Sequence, residues 1–214
     1  MGANQSDPHA GQPIETAGAP PRAATAAVVM LHGRGSTASV ILRLVDEIYR
    51  RGVIYVAPQA AGRRWYPRSA YAPPEANEPW FGSARSLVSR ALETAADAGI
   101  SPERTLLFGF SQGGCLASEF VARNPRRYGG LVALSASLMG PETGRYGGTV
   151  DGTPAFFGCS DDDPYVPGER VRESAATFER LGAAASYRLY EELGHAINDD
   201  EIRRVQESID GLVR

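Results

Sequence analysis

An α/β fold with a mostly parallel sheet is predicted from three observations. Short apolar runs that read as buried strands alternate with stretches whose apolar residues recur at helical spacing. Gly or Pro stands at several of the changeovers, where turns and helix ends are expected. The chain has 214 residues, 43% hydrophobic and 22% charged, which suits one globular domain with a sizeable core. It does not suit a disordered, collagen-like or coiled-coil chain.

Taken in order, residues 1–11 are polar and small and are expected to form a mobile tail, with a single domain over 12–214. Gly18-Ala19-Pro20-Pro21 reads as a turn. Ala26 to His32 is an apolar run, a buried-strand candidate. Val40 to Arg51 carries apolar residues at 40, 41, 44, 45, 48 and 49, a helical stripe, and Gly52 stands at its expected stop. Val53 to Ala57 is a second strand, ended by Pro58. Residues 58 to 82 hold five prolines and five aromatics without a period, a long connection of the kind that often carries function. Helices are predicted over Ser83–Asp97, Gln112–Arg123, Gly168–Leu181 and Asp199–Leu212. Strands are predicted over Thr105–Phe110, Leu131–Ala136, Pro154–Cys159 and Ser186–Tyr190. No repeat and no second domain are visible.

Charge and composition remove several function classes. The formal net charge is -3, which gives no electrostatic reason to propose nucleic acid or an anionic membrane as a partner. All 22 basic residues are arginine, which excludes a lysine nucleophile, a Schiff base and a P-loop lysine. The two cysteines, Cys115 and Cys159, make neither a disulfide framework nor a zinc pattern and suit free thiols in a reducing cytosol. No run approaches the ~20 apolar residues of a membrane helix. The N-terminus lacks the basic and apolar regions of a signal peptide, and a cytoplasmic protein is expected. A homodimer is compatible with the sequence. Histidine chemistry must come from His9, His32 or His195.

The sharpest local signal is Gly109-Phe110-Ser111-Gln112-Gly113, a G-x-S-x-G run between a predicted strand and a predicted helix. Such a turn lifts a serine hydroxyl off the sheet, while glycines let strand, turn and helix approach closely. Ser111 is therefore the candidate nucleophile. On folds that use this turn the chain order is Ser, acid, His, with the histidine on a late loop. His195, between the last strand and the last helix, is the candidate base. The acid should follow an intervening strand, and Phe156-Phe157-Gly158-Cys159 leads into Ser160 and Asp161-Asp162-Asp163. One of these three aspartates is expected to orient the imidazole. Two backbone donors should face the oxyanion, the N–H of Gln112 and that of Arg34 in His32-Gly33-Arg34-Gly35. His32 is expected to be structural. That glycine-rich turn lacks G-x-G-x-x-G, which argues against dinucleotide binding. The aspartate run lacks EF-hand spacing, and no metal site is expected.

Leu31-His32-Gly33-Arg34-Gly35, Trp65-Tyr66-Pro67, Gly109-Phe110-Ser111-Gln112-Gly113-Gly114, Asp163-Pro164-Tyr165-Val166-Pro167 and Gly194-His195 occur in that order. Together they resemble the phospholipase/carboxylesterase family of α/β hydrolases, which includes the acyl-protein thioesterases. The likeness runs from about Ile14 to the C-terminus. It implies a sheet of about seven strands without a large cap, no cofactor, and cleavage of short- to medium-chain acyl esters or thioesters. It also implies a substrate groove bordered by Trp65 and Tyr66. The loop from Trp65 to Phe81 and the stretch Leu138–Gly152 are the expected cover. Family members commonly have His-Gly and two further residues before the acid. Here Phe157-Gly158 is followed by four, Cys159 to Asp162, before Asp163. Counting from Gly158 gives Asp161; counting back from Pro-x-Val-Pro gives Asp163, which is the expected acid. The competing readings are an acyl-protein thioesterase or lysophospholipase, a dienelactone-type enzyme with a cysteine at the elbow, and a hydrolase-fold binding protein without catalysis.

Overall fold

The computed structural model describes residues 7–141 and 146–214. Seven strands form one sheet: β1 (Ile14–Gly18), β2 (Ala26–Leu31), β3 (Val53–Pro58), β4 (Thr105–Phe110), β5 (Gly130–Leu134), β6 (Pro154–Ser160) and β7 (Ala184–Tyr190). Their spatial order is β1-β3-β2-β4-β5-β6-β7. β1 runs antiparallel to β3, and all other pairs are parallel. The helices are α1 (Ala38–Ile41), α2 (Val45–Ile48), α3 (Trp80–Asp97), α4 (Gln112–Arg123), α5 (Gly168–Arg180) and α6 (Asp199–Val213).

Because side chains alternate along a strand, each central strand feeds two cores. Ala27, Val29 and Leu31 of β2 join the layer covered by α3, α4 and α5. Ala26, Val28 and Met30 join the layer covered by α1, α2 and α6, with Ile41, Val45, Ile48, Val205 and Ile209. Burial on both faces explains why these strands read as unbroken apolar runs.

Two elements depart from expectation. The predicted Val40–Arg51 helix is two short pieces joined by a 3₁₀ turn, Leu42–Leu44, and it ends at Ile48. Tyr55 of β3 ends it. Its hydroxyl accepts from Arg50 N–H at 3.0 Å and donates to Ile48 O at 2.8 Å, so those backbone groups leave the helix ladder. β1 was not predicted, because Ile-Glu-Thr-Ala-Gly has no apolar run. An edge strand that is only partly buried needs none.

The expected mobile tail is corrected for its described part. His9 is buried; its backbone N–H donates to Ser83 Oγ at 2.8 Å, and its ring meets Trp65 O and Ala61 N–H at 3.0 Å each. The remainder of that segment, residues 1–6, lies outside the described residues.

Candidate active site

The parallel strands end at one edge of the sheet, and three of the predicted site residues meet there. β4 runs into α4 through Ser111, whose backbone has φ 55 and ψ -123. An L-residue in this region costs roughly 1–3 kcal/mol, so the turn must be held by its surroundings. Two glycines make the crossing possible. A Cβ on Gly109 would run into the Gly113 carbonyl, and one on Gly113 into the carbonyl of Leu31 in β2.

The loop after β7 brings His195 over this turn. His195 Nε2 lies 2.9 Å from Ser111 Oγ, and Nδ1 lies 2.8 Å from Asp163 Oδ2. With Nδ1–H donating to the carboxylate, Nε2 is free to accept the seryl proton. The imidazole sits between the rings of Phe110, 5.0 Å away, and Tyr165, 4.9 Å away. The Asp163 side chain is fully buried. Its Oδ1 accepts from the N–H groups of Tyr165 at 2.8 Å and Val166 at 3.0 Å, and Cys159 Sγ approaches Oδ2 at 3.6 Å.

The other two aspartates hold the histidine loop. Asp161 Oδ1 accepts from Glu192 N–H at 3.1 Å, and Asp162 Oδ1 accepts from Gly194 N–H at 2.9 Å. The Ser160 hydroxyl beside Asp162 and that backbone N–H keep its carboxyl below the ordinary range. The two extra residues before Asp163 thus form a turn that binds the backbone next to His195. Of the three, only Asp163 is hydrogen-bonded to the imidazole.

The N–H groups of Arg34 and Gln112, expected to face an oxyanion, have no acceptor among the described residues. Both residues line a cleft of ≈ 600 Å³ together with Tyr66, Pro67, Arg68, Ser69, Ala70, Tyr71, Ser111, Cys115, Tyr165, Val166 and His195. The Gln112 side chain also clamps the cleft wall. Its Oε1 accepts from Trp65 N–H and its Nε2 donates to Tyr66 O, both at 2.8 Å.

Tyr66 borders the cleft as expected, and Trp65 does not. The indole is fully buried beneath the His32 turn, donating to His32 O at 2.7 Å and lying 4.9 Å from the His32 ring. A ring whose N–H has its acceptor inside the fold has every reason to stay there. His32 is structural: Nδ1 bonds Gly33 O at 2.8 Å, and Nε2 accepts from Ala60 N–H at 3.1 Å. Burial lowers its pKa and keeps it neutral.

The expected cover is also corrected. Residues 66–71 line the cleft, but none of the described residues of 138–152 does. Glu119 of α4, fully buried, takes the Met139 N–H at 2.9 Å and the Tyr146 hydroxyl at 2.6 Å. Arg170 of α5 donates to the carbonyls of Leu138 and Gly140. These bonds hold the segment on the helices rather than over the site. Residues 142–145 of that stretch lie outside the described residues.

Arg68, Ser69, Ala70 and Tyr71 were not singled out from the sequence as wall residues; only their place in a long aromatic loop hinted at it. A cysteine elbow is excluded, since Ser111 holds the turn. Cys115, one helical turn on, is a buried free thiol pushed up to about 11, chiefly by desolvation.

Comparison with known proteins gives the family. Residues 13–213 match the model of the Phospholipase/Carboxylesterase family. A phospholipase/carboxylesterase from Dyadobacter fermentans is 40% identical, with a TM-score of 0.88, over 92% of this chain and 96% of that one. Acyl-protein thioesterase 1 of Kluyveromyces lactis is 26% identical over 198 residues, 82% of this chain and 87% of that protein. A Bacillus cereus carboxylesterase shares the fold, with a TM-score of 0.75 at 17% identity, over 95% of each chain. The chain belongs to the phospholipase/carboxylesterase family and is an ester hydrolase.

Proposed function

We propose that the protein is a serine carboxylesterase that cleaves short- to medium-chain acyl esters through an acyl-enzyme, with Ser111, His195 and Asp163 as its triad. The observation that carries this is the unbroken hydrogen-bond chain from Ser111 Oγ through the imidazole to the buried Asp163 carboxylate, on the floor of an open cleft.

In this reading His195 Nε2 takes the seryl proton as Oγ attacks the acyl carbonyl. Asp163 stabilises the imidazolium and holds its tautomer. The oxyanion is received by the N–H groups of Arg34 and Gln112, the latter at the N-terminus of α4. His195 returns the proton to the leaving alkoxide, and the acyl group remains on Ser111 until water, activated by the same histidine, releases the acid.

The wall supports short acyl chains. Its apolar parts are the small residues Pro67, Ala70, Cys115 and Val166 and the tyrosine rings. A long chain would leave methylenes in water, forfeiting about 0.8 kcal/mol for each. Thioesters would react by the same steps, and the named thioesterase from Kluyveromyces lactis keeps them in the substrate range worth assaying. Two buried, unpaired thiols favour a reducing compartment such as the cytosol. No helix of the described residues is long and apolar enough to cross a membrane.

A fluorophosphonate probe should label wild-type protein once, at Ser111, and leave Ser111→Ala unlabelled. Stoichiometric labelling of Ser111→Ala would overturn the assignment. Among p-nitrophenyl esters, kcat/KM for C4 or C6 chains should exceed that for C16; the opposite order would overturn the chain-length reading.

A further inference from the structure

The cleft has a charge the whole chain does not. The protein is formally -3, yet apart from His195 the charged side chains lining the cleft are Arg34 and Arg68, and no lining residue is a carboxylate. The two arginines are used differently. Arg34 spends its guanidinium on the wall itself: Nη1 donates to Pro67 O at 3.1 Å, and Nη2 to Tyr66 O and Arg68 O at 2.9 Å each. The guanidinium of Arg68 is exposed and has no hydrogen bond or ion pair among the described residues.

The backbone of Arg68 is nevertheless fixed from both sides. Its N–H donates to Oδ1 of Asn77 at 2.9 Å, and its carbonyl accepts from Arg34. Asn77 is fully buried and also ties Ser69 O through Nδ2 at 3.1 Å. The fold therefore anchors the main chain at 68 with a buried amide and a cation while leaving the side chain unused at the rim. A guanidinium on a main chain anchored in this way offers a two-donor fork that matches a carboxylate. A site walled by protein focuses such a charge more than an open surface does.

We propose that the substrate carries a carboxylate besides its scissile ester, and that Arg68 receives it at the rim of the cleft. Arg68 is then a specificity-determining residue, and the preferred substrates are half-esters or acylated hydroxy acids rather than neutral lipid-like esters. This rests on the esterase reading of Ser111.

The test compares carboxylates with their isosteric amides. On the acyl side the pair is monomethyl glutarate and methyl 4-carbamoylbutanoate; on the alcohol side it is 3-butyryloxypropanoate and its amide. Turnover is followed by proton release. The readout is the ratio of kcat/KM, carboxylate over amide, within each protein, so that any general loss in a variant cancels. Wild type should favour the carboxylate by about tenfold in at least one pair, chiefly through KM, and less so as salt rises from about 50 to about 500 mM. The ratio should persist in Arg68→Lys, fall to about one in Arg68→Gln and invert in Arg68→Glu. A wild-type ratio at or below one in both pairs, or an unchanged ratio in Arg68→Glu, overturns the proposal. So does hydrolysis of p-nitrophenyl butyrate with no turnover of either pair. Loss of p-nitrophenyl butyrate hydrolysis together with an unlabelled Ser111 would instead overturn the esterase reading beneath it.

Discussion

The proposed reacting centre and the wall of the cleft are held by different means. Ser111, Asp163 and His195 follow the ends of β4, β6 and β7, strands that share one parallel sheet. Their strands are fixed by main-chain pairing, and the carboxylates of Asp161 and Asp162 tie the turn before Asp163 to the backbone of the histidine loop. Tyr66 to Tyr71 belong to no sheet strand. Side chains from distant elements clamp their backbone: Gln112 holds Trp65 and Tyr66, Arg34 holds residues 66–68, and Asn77 holds 68 and 69. The sheet thus places Ser111, Asp163 and His195, and a few polar side chains fix the loop that lines the cleft opposite the proposed centre. Damage to the first should appear in kcat, and damage to the second mainly in KM.

The sharpest way to break this distinction lies within the centre. Asp163→Asn should lower kcat by about 10⁴-fold, because asparagine favours the wrong imidazole tautomer. Asp161 bonds the backbone at 192, and Asp162 bonds the backbone at 194 and the Ser160 hydroxyl; neither touches the imidazole, so Asp161→Asn and Asp162→Asn should each cost about tenfold or less. Steady-state kinetics on folded variants decides it. The reverse ranking would move the acid to another member of the run.

The wall gives the next largest effect. Gln112→Ala keeps the backbone N–H proposed for the oxyanion but removes both clamps on Trp65 and Tyr66. It should lower kcat/KM by about 10²-fold, carried more by KM than by kcat, because misplacing positioning groups by about 1 Å costs on that order. Full fluorophosphonate labelling at saturating probe should be retained. A loss confined to kcat would show that the wall and the centre are not separately held.

That contrast also explains what the sequence revealed. The β4–Ser111–α4 turn was legible because its signal is local: an apolar strand, a serine, glycines at the crowded positions and a helix, all within twenty residues. Asp163 was legible from the prolines that follow it, whereas the use of Asp161 and Asp162 on the histidine loop was not. Those bonds join residues about thirty positions apart with no periodic pattern. Trp65 misled for the same reason. A tryptophan in a proline-rich loop reads as a surface that meets ligand, and its acceptor, His32 O, lies 33 residues upstream. The failed Val40–Arg51 helix has the same cause, a tyrosine of the next strand taking the backbone of the last turn. β1 was missed because a partly buried edge strand needs no apolar run.

Trp65→Phe tests that buried role directly. It removes the indole donor, leaves the His32 carbonyl without that bond and opens space in the core. Stability to urea should fall by about 3 kcal/mol. Since the ring does not line the cleft, KM should change by no more than about threefold in the folded protein. An unchanged unfolding midpoint with a large rise in KM would return Trp65 to the groove.

The smallest expected effect separates the two regions by the sign of their response to pH. On the centre's side, Glu201 caps α6, just beyond the His195 loop. Its N–H donates to Asn198 Oδ1 at 2.9 Å, and its Oε2 accepts from Asn198 N–H at 3.0 Å, while Oε1 is buried without a partner among the described residues. Burial pushes its carboxyl up to about 7. Between the unfolded value near 4.5 and 7 the native state therefore binds more protons than the unfolded chain, so rising pH removes stability through this window. On the wall's side, His9 and His32 are held below the ordinary imidazole value by desolvation. The unfolded chain binds more protons there, so falling pH removes stability below about 6.5. Measured as the difference from wild type, Glu201→Gln should gain about 2 kcal/mol relative to wild type between pH 5 and pH 8. His32→Gln should show the opposite trend, gaining on wild type as pH falls below 6.5, whatever its offset at pH 8. Urea unfolding across that range reads both slopes. Parallel slopes would mean that one titration governs both regions and that the cap of α6 and the His32 turn do not unfold as independently titrating parts.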